Sequence, residues 1–317
     1  MGPLVSILVP CYNSEAWIDR TIESALGQTY PRCEIIVVDD GSTDGTLTRM
    51  RGYEARGVRV VTQANRGASA ARNRALADAS GELIQFLDAD DLLAPDKIAV
   101  QVALLEQRGF DFVASGAWAR FAENPADAQF AEQPVWRDLR PIDFLITCAF
   151  EELMFPPSAW LVPRRLCDQA GAWDETISIN DDGEYMSRVL AMSSGIAFCA
   201  EARTFYRSGN PQSYGSRRSL AAADSDLRAW NAIVGVMQSL ESSARVATAA
   251  ATGYQRIQAA YYGQFPELVD TAARRERELG GGAYRFNGGW YFRAIVRLFG
   301  WKRAMRLRHA KAALWQS

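Results

Sequence analysis

Histidine is nearly absent from this chain of 317 residues, which contains a single one, His309, near its C-terminus. A Ser-His-Asp triad or a Cys-His pair is therefore not a realistic interpretation, because both mechanisms need a histidine base. We expect proton transfer to depend on Asp, Glu, Tyr or Lys side chains instead.

Cysteine is also sparse, and no two cysteines form a CxxC pair. The five are odd in number and widely spaced: Cys11, Cys33, Cys148, Cys167 and Cys199. This pattern predicts neither a zinc site nor a disulfide framework, and it fits a reducing cytoplasm. No basic region precedes the first apolar run, so we expect no signal peptide. No apolar run approaches the roughly 20 residues of a membrane-spanning helix.

Charge of one sign does not dominate the chain, whose formal net charge is −2. This balance argues against a dedicated nucleic-acid-binding protein. The average conceals an asymmetry, because residues 284–317 contain eight Lys and Arg and no Asp or Glu. The remaining residues therefore hold 27 Lys and Arg against 37 Asp and Glu.

Apolar, β-branched runs alternate with helical patterns through the first 115 residues. The runs predict strands at residues 5–10, 34–39, 58–62, 83–87 and 112–115, and helices at 14–26, 43–56, 68–79 and 95–108. This alternation predicts an α/β fold of the Rossmann-like kind, with a mostly parallel sheet flanked by helices. Ligands of such sheets bind beyond the carboxyl ends of the strands.

The second half of the chain is less regular at first and then helical. Residues 120–180 are rich in proline, residues 181–193 have a helical pattern, and residues 196–206 resemble a strand pair or a strand end. From about residue 217 the pattern is helical and rich in Ala and Arg. We therefore expect an N-terminal α/β domain at 1–215 and a helical C-terminal region at 216–317.

Glycine-rich phosphate-binding motifs are missing, since the chain has neither GxGxxG nor GxxxxGK[ST]. A dinucleotide-binding or P-loop site is therefore not predicted. Polar clusters follow the predicted strands instead, beginning with residues 10–15 (PCYNSE). The ring of Tyr12 could stack on a nucleobase, or this segment could be a strand-to-helix turn with an aromatic cover.

The next two clusters could bind the polar parts of a nucleotide. Asp39 and Asp40 end an apolar strand, where adjacent like charges are costly and where helix capping does not account for both acids. A carboxylate there can accept hydrogen bonds from a base or a ribose. Residues 65–73 place small side chains at a helix N-terminus, a position that favours anions. Arg72 could pair with a diphosphate, although a surface arginine is the simpler interpretation of that residue alone.

Three acids follow the predicted strand at 83–87: Asp88, Asp90 and Asp91. Carboxylates clustered at a strand end suit Mg²⁺ or Mn²⁺, with substrate phosphates completing the coordination shell. A capped turn would need only one of these acids, so we favour a metal site. A last acidic cluster, Asp181-Asp182, begins a predicted helix, where it could complement the helix dipole or supply a catalytic base.

Five segments together resemble the family 2 glycosyltransferases of the GT-A fold: VSILVPCYNSE, EIIVVDDGSTDGT, NRGASAARNRAL, GELIQFLDADDLLAPDKI and INDDGEYMSR. They occur in the family's order and cover about the first 190 residues. The resemblance implies an inverting transfer from a nucleotide-diphosphate sugar, usually UDP-linked, to an acceptor hydroxyl, here in cell-surface polysaccharide or glycolipid synthesis. The acceptor would be a saccharide or a lipid-linked saccharide. Residues 1–215 would then form the catalytic domain, and the helical region 216–317 would provide acceptor, membrane-surface or oligomer contacts.

The resemblance also implies roles for particular residues. Asp90 would be the direct ligand of Mn²⁺ or Mg²⁺, and Asp182 would be the general base. Many members of the family have Glu-Asp where this chain has Asp181-Asp182, so either acid could be the base, and Asp182 is preferred. The implied nucleotide-sugar pocket comprises Pro10, Tyr12, Asp40 at the base, Gly67, Arg72 near the diphosphate, Asp88 at the ribose or metal, and Ala89.

The basic segment at 284–317 combines Lys and Arg with tryptophan and other apolar residues. Such a composition suits an anionic membrane surface, so the segment could bring a cytoplasmic enzyme to the inner face of a membrane. A packed helical hairpin with solvated arginines, or an oligomer contact, would explain it equally well.

Two other functions remain as alternatives. A sugar nucleotidyltransferase would also combine a nucleotide-binding sheet with a metal, but it usually has a Gly-rich loop where this chain has PCYNSE. A non-catalytic nucleotide-sugar-binding protein would have lost the acidic residues that bind the nucleotide and metal and act as base. The chain retains four: Asp40, Asp88, Asp90 and Asp182.

Overall fold

The computed structural model describes residues 2–209, 219–284, 295–298, 300–305 and 307. A five-stranded sheet forms the centre of the N-terminal half, in the order β3-β2-β1-β4-β7. The first four strands in this order are parallel, and β7 pairs antiparallel with β4. The strands are β1 (Val5–Cys11), β2 (Cys33–Asp39), β3 (Val58–Thr62), β4 (Leu83–Phe86) and β7 (Val162–Pro163).

The central strands are mostly apolar because both faces of the sheet are covered. All of β1 is buried, and so are the last five residues of β2. In the parallel register Cys11 lies beside Asp39, so the polar segments that follow the two strands emerge at the same edge. This pattern confirms the predicted α/β fold with a mostly parallel sheet flanked by helices.

Three helices connect the four parallel strands: α1 (Ile18–Leu26), α2 (Thr46–Arg51) and α3 (Ala68–Asp78). A fourth helix, α4 (Lys97–Arg108), follows β4 in the chain. The predicted helix at 14–26 begins four residues later, at Ile18, and Ser14 lies in the turn before it. Its carbonyl accepts from the backbone of Trp17 and Ile18, while its hydroxyl donates to the Tyr12 carbonyl at 3.2 Å. The predicted helix at 43–56 is shorter, and a separate 3₁₀ turn follows at Glu54–Arg56.

A second sheet of three strands lies beside the first and has the order β5-β8-β6. Its strands are β5 (Leu92–Leu93), β6 (Phe112–Phe121) and β8 (Gly195–Arg207). The strand predicted at 112–115 is therefore longer than expected and pairs in parallel with β8 rather than extending the central sheet. Gly116 permits a register shift there, since a Cβ atom would lie 2.0 Å from the carbonyl oxygen of Ala202.

The remaining helices are α5 (Pro141–Glu151), α6 (Arg164–Ala170), α7 (Asp181–Ala191), α8 (Leu220–Leu240), α9 (Ala244–Tyr261) and α10 (Pro266–Glu278). One hydrophobic cluster contains residues of the central sheet, such as Phe86, together with Trp230 of α8 and Tyr254 of α9. The predicted boundary between 215 and 216 lies outside the described residues, as does most of the basic segment 284–317. None of the described helices is both long and apolar enough to cross a membrane.

Candidate active site

A cavity of about 810 Å³ opens at the carboxyl ends of β1, β2 and β4. This is the edge at which a parallel sheet of this kind binds its ligands. All nine predicted site residues line the cavity: Pro10, Tyr12, Asp40, Gly67, Arg72, Asp88, Ala89, Asp90 and Asp182. The structure thus brings together residues that are as much as 172 positions apart in the sequence. Their individual roles stay predictions.

The loop after β1 holds the ring of Tyr12 at the cavity wall. Asn13 has a left-handed backbone with φ of 47°. Its amide donates to the Ser42 hydroxyl at 3.0 Å, and its side-chain oxygen accepts from the Thr43 amide at 2.8 Å. These contacts fix the turn, while Tyr12 itself is 40% exposed. An exposed face on a fixed aromatic ring can stack on a nucleobase.

The carboxylate of Asp40 organises the loop before α3. It accepts hydrogen bonds from the Gln63 side chain at 2.8 Å and from the backbone amides of Arg66 at 2.9 Å and Gly67 at 2.7 Å. A carboxylate has about four acceptor positions, so roughly one remains for a ligand. The predicted contact between Asp40 and a base is compatible with this arrangement, but Asp40 also has a structural role that the sequence did not reveal.

Arg72 is not a surface residue, contrary to the simpler interpretation of its sequence position. It is 6% exposed, and its guanidinium bridges Asp88 at 2.8 Å and Asp181 at 2.7 Å. The ring of Trp173 lies 4.6 Å from the guanidinium carbon. Arg72 thereby connects the segment after β4 to the start of α7. These ion pairs fix the distance between two walls of the cavity.

The three predicted metal-site acids do not act as one cluster. Asp91 points away from the cavity, where its carboxylate accepts from the Ser158 hydroxyl and the Arg207 amide, each at 2.9 Å. Burial and the carboxylates of Asp90 and Asp88 raise the pKa of Asp91 well above its usual range. Asp91 is therefore a buried structural group that ties the end of β8 to the segment after β4.

Asp88 and Asp90 remain at the cavity wall. The described residues contain no group of three or more His, Cys, Asp or Glu side chains arranged to hold a metal ion. Two carboxylates are nevertheless the donor set that Mg²⁺ accepts when substrate phosphates provide the other oxygens. Burial raises the pKa of the Cys11 thiol at this edge, and the charges of Asp39, Asp88 and Asp90 raise it further. The residues present therefore fit a divalent cation bound together with a diphosphate.

Asp182 lies at the N-terminus of α7, on the cavity wall formed by residues 177–182. Burial, followed by the neighbouring charge of Asp181, raises the pKa of Asp182 to about 7. Asp181 itself is engaged by Arg72 and by the Ser69 hydroxyl at 3.3 Å. Arg72 forms an ion pair with Asp181 and not with Asp182. The pKa of about 7 suits Asp182 to accepting a proton near neutral pH.

Arg207, at the end of β8, lines the cavity but was not predicted from the sequence. Its guanidinium carbon lies 4.2 Å from the centre of the Trp17 ring and 4.4 Å from that of Phe121. Its Nε donates to the Asp90 carbonyl at 3.0 Å. No local motif marks this residue, because its position depends on the pairing of β8 with β6.

Comparison with known proteins identifies the family. The sequence model described as "Glycosyl transferase family 2" matches residues 6–169, which is more than half of the chain. The chain belongs to this family. The matched range includes every predicted site residue except Asp182, which follows it by 13 positions.

Two curated relatives illustrate the similarity. The putative teichuronic acid biosynthesis glycosyltransferase TuaG of Bacillus subtilis is 41% identical over 117 residues, which are 36% of this chain and 46% of TuaG. The Escherichia coli UDP-Glc:alpha-D-GlcNAc-diphosphoundecaprenol beta-1,3-glucosyltransferase WfgD is 38% identical over 111 residues, 35% of this chain and 44% of WfgD. The chain thus matches less than half the length of these relatives.

Solved structures share the fold over a larger part of the chain. Residues 1–349 of S. aureus TarS, in complex with UDP-GlcNAc, superpose with a TM-score of 0.64 at 17% identity, covering 90% of this chain and 94% of that one. The mannosyltransferase PcManGT of Pyrobaculum calidifontis, in complex with GDP-Man and Mn²⁺, gives a TM-score of 0.54 at 19% identity, covering 100% and 81%. At these identities the likeness shows the fold alone.

Proposed function

We propose that this chain is a metal-dependent, inverting glycosyltransferase that moves a sugar from a UDP-sugar to the hydroxyl of a saccharide acceptor in cell-surface polysaccharide or glycolipid synthesis. The observation that carries the proposal is the arrangement of the cavity. The predicted nucleotide residues and Asp88 and Asp90 lie on walls after β1, β2 and β4, and Asp182 lies on the wall formed by the start of α7. A donor in this cavity would have a potential base beside it.

The relatives support the donor and the biological setting of the proposal. WfgD is named for a UDP-Glc donor and a diphosphoundecaprenol-linked acceptor, and TuaG for teichuronic acid biosynthesis. The TarS structure contains UDP-GlcNAc. A UDP-sugar donor and a lipid-linked saccharide acceptor are therefore the first substrates to test.

In the proposed reaction Asp182 accepts the proton of the acceptor hydroxyl. The acceptor oxygen forms a bond to the anomeric carbon while the bond from that carbon to the diphosphate breaks on the opposite side, which inverts the configuration. With a pKa of about 7, Asp182 is ionised in a large fraction of molecules at neutral pH and is still basic enough to take the proton. Arg72 contributes by holding Asp88 and Asp181 in place.

Asp90, with Asp88 beside it, would hold the cation. A bound Mn²⁺ or Mg²⁺ would offset negative charge on the leaving diphosphate. The N-terminus of α3, with the small residues Gly67 and Ala68 at the cavity, presents backbone amides that favour the same negative charge.

A panel of nucleotide sugars tests the proposal. Purified protein is incubated with UDP-glucose, UDP-galactose, UDP-GlcNAc and GDP-mannose, with Mn²⁺, with Mg²⁺ or with EDTA, and the release of the nucleoside diphosphate is measured with and without acceptors. We expect release from a UDP-sugar that requires the cation and increases with acceptor. Binding without release would favour a non-catalytic binding protein, and synthesis of a nucleotide sugar from a sugar phosphate would favour a nucleotidyltransferase.

A further inference from the structure

A second cavity, of about 470 Å³, adjoins the first at Asp182. It is lined mainly by helices α5, α7, α8 and α9, of which the last two belong to the C-terminal half of the chain. Four residues line both cavities, which therefore adjoin: Met154, Ile179, Asn180 and Asp182. The proposed base therefore faces two spaces, of which only one is needed for the donor.

The second cavity combines aromatic rings with charged groups. Trp160 and Trp230 line it, and the Nε1 atom of Trp160 is buried without a hydrogen-bond partner among the described residues. Arg256 and Asp226 form an ion pair at 3.0 Å in its wall. The Arg256 side chain is 30% exposed, so its guanidinium can also donate to a polar ligand in this cavity.

Backbone strain points to the same places. In the described part of the chain three non-glycine residues have positive φ: Asn13 at 47°, Glu152 at 51° and Asn180 at 60°. Each lines one or both cavities. Glu152 follows helix α5, at a position where glycine usually adopts the left-handed conformation. For a residue with a Cβ atom this conformation costs about 1–2 kcal/mol. Strained residues of this kind concentrate at functional sites.

We propose that the second cavity binds the saccharide unit of the acceptor and places one of its hydroxyls at Asp182. This inference rests on the proposed function. The apolar C–H face of a pyranose packs on aromatic rings, and its hydroxyls donate to carboxylates such as Glu152 and Asp226 and accept from Arg256. The C-terminal helices α8 and α9 thereby supply acceptor contacts, while the N-terminal sheet holds the donor.

A blocking substitution tests the inference. Ala260 is exposed on α9 and lines the second cavity but not the first. Ala260→Trp is expected to weaken, at least tenfold, the binding of octyl glucoside, octyl galactoside or octyl N-acetylglucosaminide, titrated below their micelle concentrations in the presence of UDP and Mn²⁺. Ala244→Trp is the matched control, since Ala244 is exposed on the same helix and lines neither cavity.

Glu152→Gly is a second variant that separates binding from folding. Glycine relieves the left-handed backbone, so the variant should melt at the same temperature as the wild type or higher, while its glycoside affinity falls. A purely structural role of Glu152 would lower the melting temperature instead.

Two results would overturn the inference: wild-type protein that binds UDP but none of the three glycosides, or Ala260→Trp protein with wild-type glycoside affinity. Wild-type protein that fails to bind UDP at all would instead contradict the proposed function, so the two failures are distinguishable.

Discussion

Replacement of Asp182 by asparagine is expected to abolish sugar transfer and, at the same time, to stabilise the folded protein. The side chain keeps its size and its position at the start of α7, but it can no longer accept a proton or carry a charge. Nucleotide binding should persist, because the predicted donor contacts lie on other walls of the cavity. Few substitutions of a structural aspartate would have this combination of effects.

The size of the stabilisation follows from the pKa of Asp182, which the fold raises from 3.8 to about 7. Between these values the folded protein retains a proton that the unfolded chain has lost, so the free energy of unfolding falls as pH rises through this window. Each pKa unit corresponds to about 1.36 kcal/mol, which gives an upper value of about 4 kcal/mol above pH 7. Water in the cavity screens part of this electrostatic effect. We therefore expect the free energy of unfolding of the variant to exceed that of the wild type by about 2–4 kcal/mol above pH 7.

Urea denaturation followed by tryptophan fluorescence measures this gain. The two proteins should have similar free energies of unfolding at pH 4, and the variant should have the larger one at pH 8. Asp168→Asn is the control, since the Asp168 side chain is 61% exposed and should change stability little at either pH. An Asp182→Asn protein that is fully active, or one whose stability relative to the wild type does not depend on pH, would refute the reasoning.

Three further predictions concern the same cavity. The kcat/KM for transfer should fall about tenfold per pH unit below pH 7, where Asp182 becomes protonated, and a flat profile from pH 5.5 to 8.5 would contradict this. Asp90→Ala should weaken Mn²⁺-dependent UDP binding about tenfold or more in calorimetric titration, whereas the exposed Asp96→Ala should not; equal affinities would remove Asp90 from the metal site. Arg72→Ala should lower the free energy of unfolding by about 3–5 kcal/mol, because it leaves two carboxylates without their buried partner, and a loss below 1 kcal/mol in urea denaturation would be inconsistent with the bridge.

The sequence was informative where local patterns determine structure. Apolar runs such as β2 (Cys33–Asp39) can be recognised because both of their faces are buried, and the polar residues that follow them lie at one edge because the strands are parallel. The position of Asp40 and Asp88 at a common cavity follows from those two facts. The sheet edge that carries the cavity could therefore be predicted without knowledge of contacts between distant parts of the chain.

Features that depend on long-range pairing were not predictable in the same way. The strand β8 (Gly195–Arg207) acquires its length by pairing with β6 from a distant part of the chain, and only that pairing brings Arg207 to the cavity. The sequence does not predict helix α5 (Pro141–Glu151), because its proline lies in a proline-rich stretch that favours irregular structure, although proline is well tolerated in the first turn of a helix. Asp91 belongs to the same acidic cluster as Asp90 in the sequence, but its side chain is buried because it accepts hydrogen bonds from residues more than 60 positions away.

The most direct test of the proposed glycosyl transfer is an NMR measurement of the anomeric configuration of its product. Wild-type protein is supplied with Mn²⁺, an α-linked UDP-sugar and a saccharide acceptor, and the first product formed is examined. The proposed displacement with Asp182 as base predicts a β-linked product and an equal amount of UDP. An α-linked product would contradict the single displacement, and the absence of both UDP and product with every UDP-sugar would contradict the proposed activity itself.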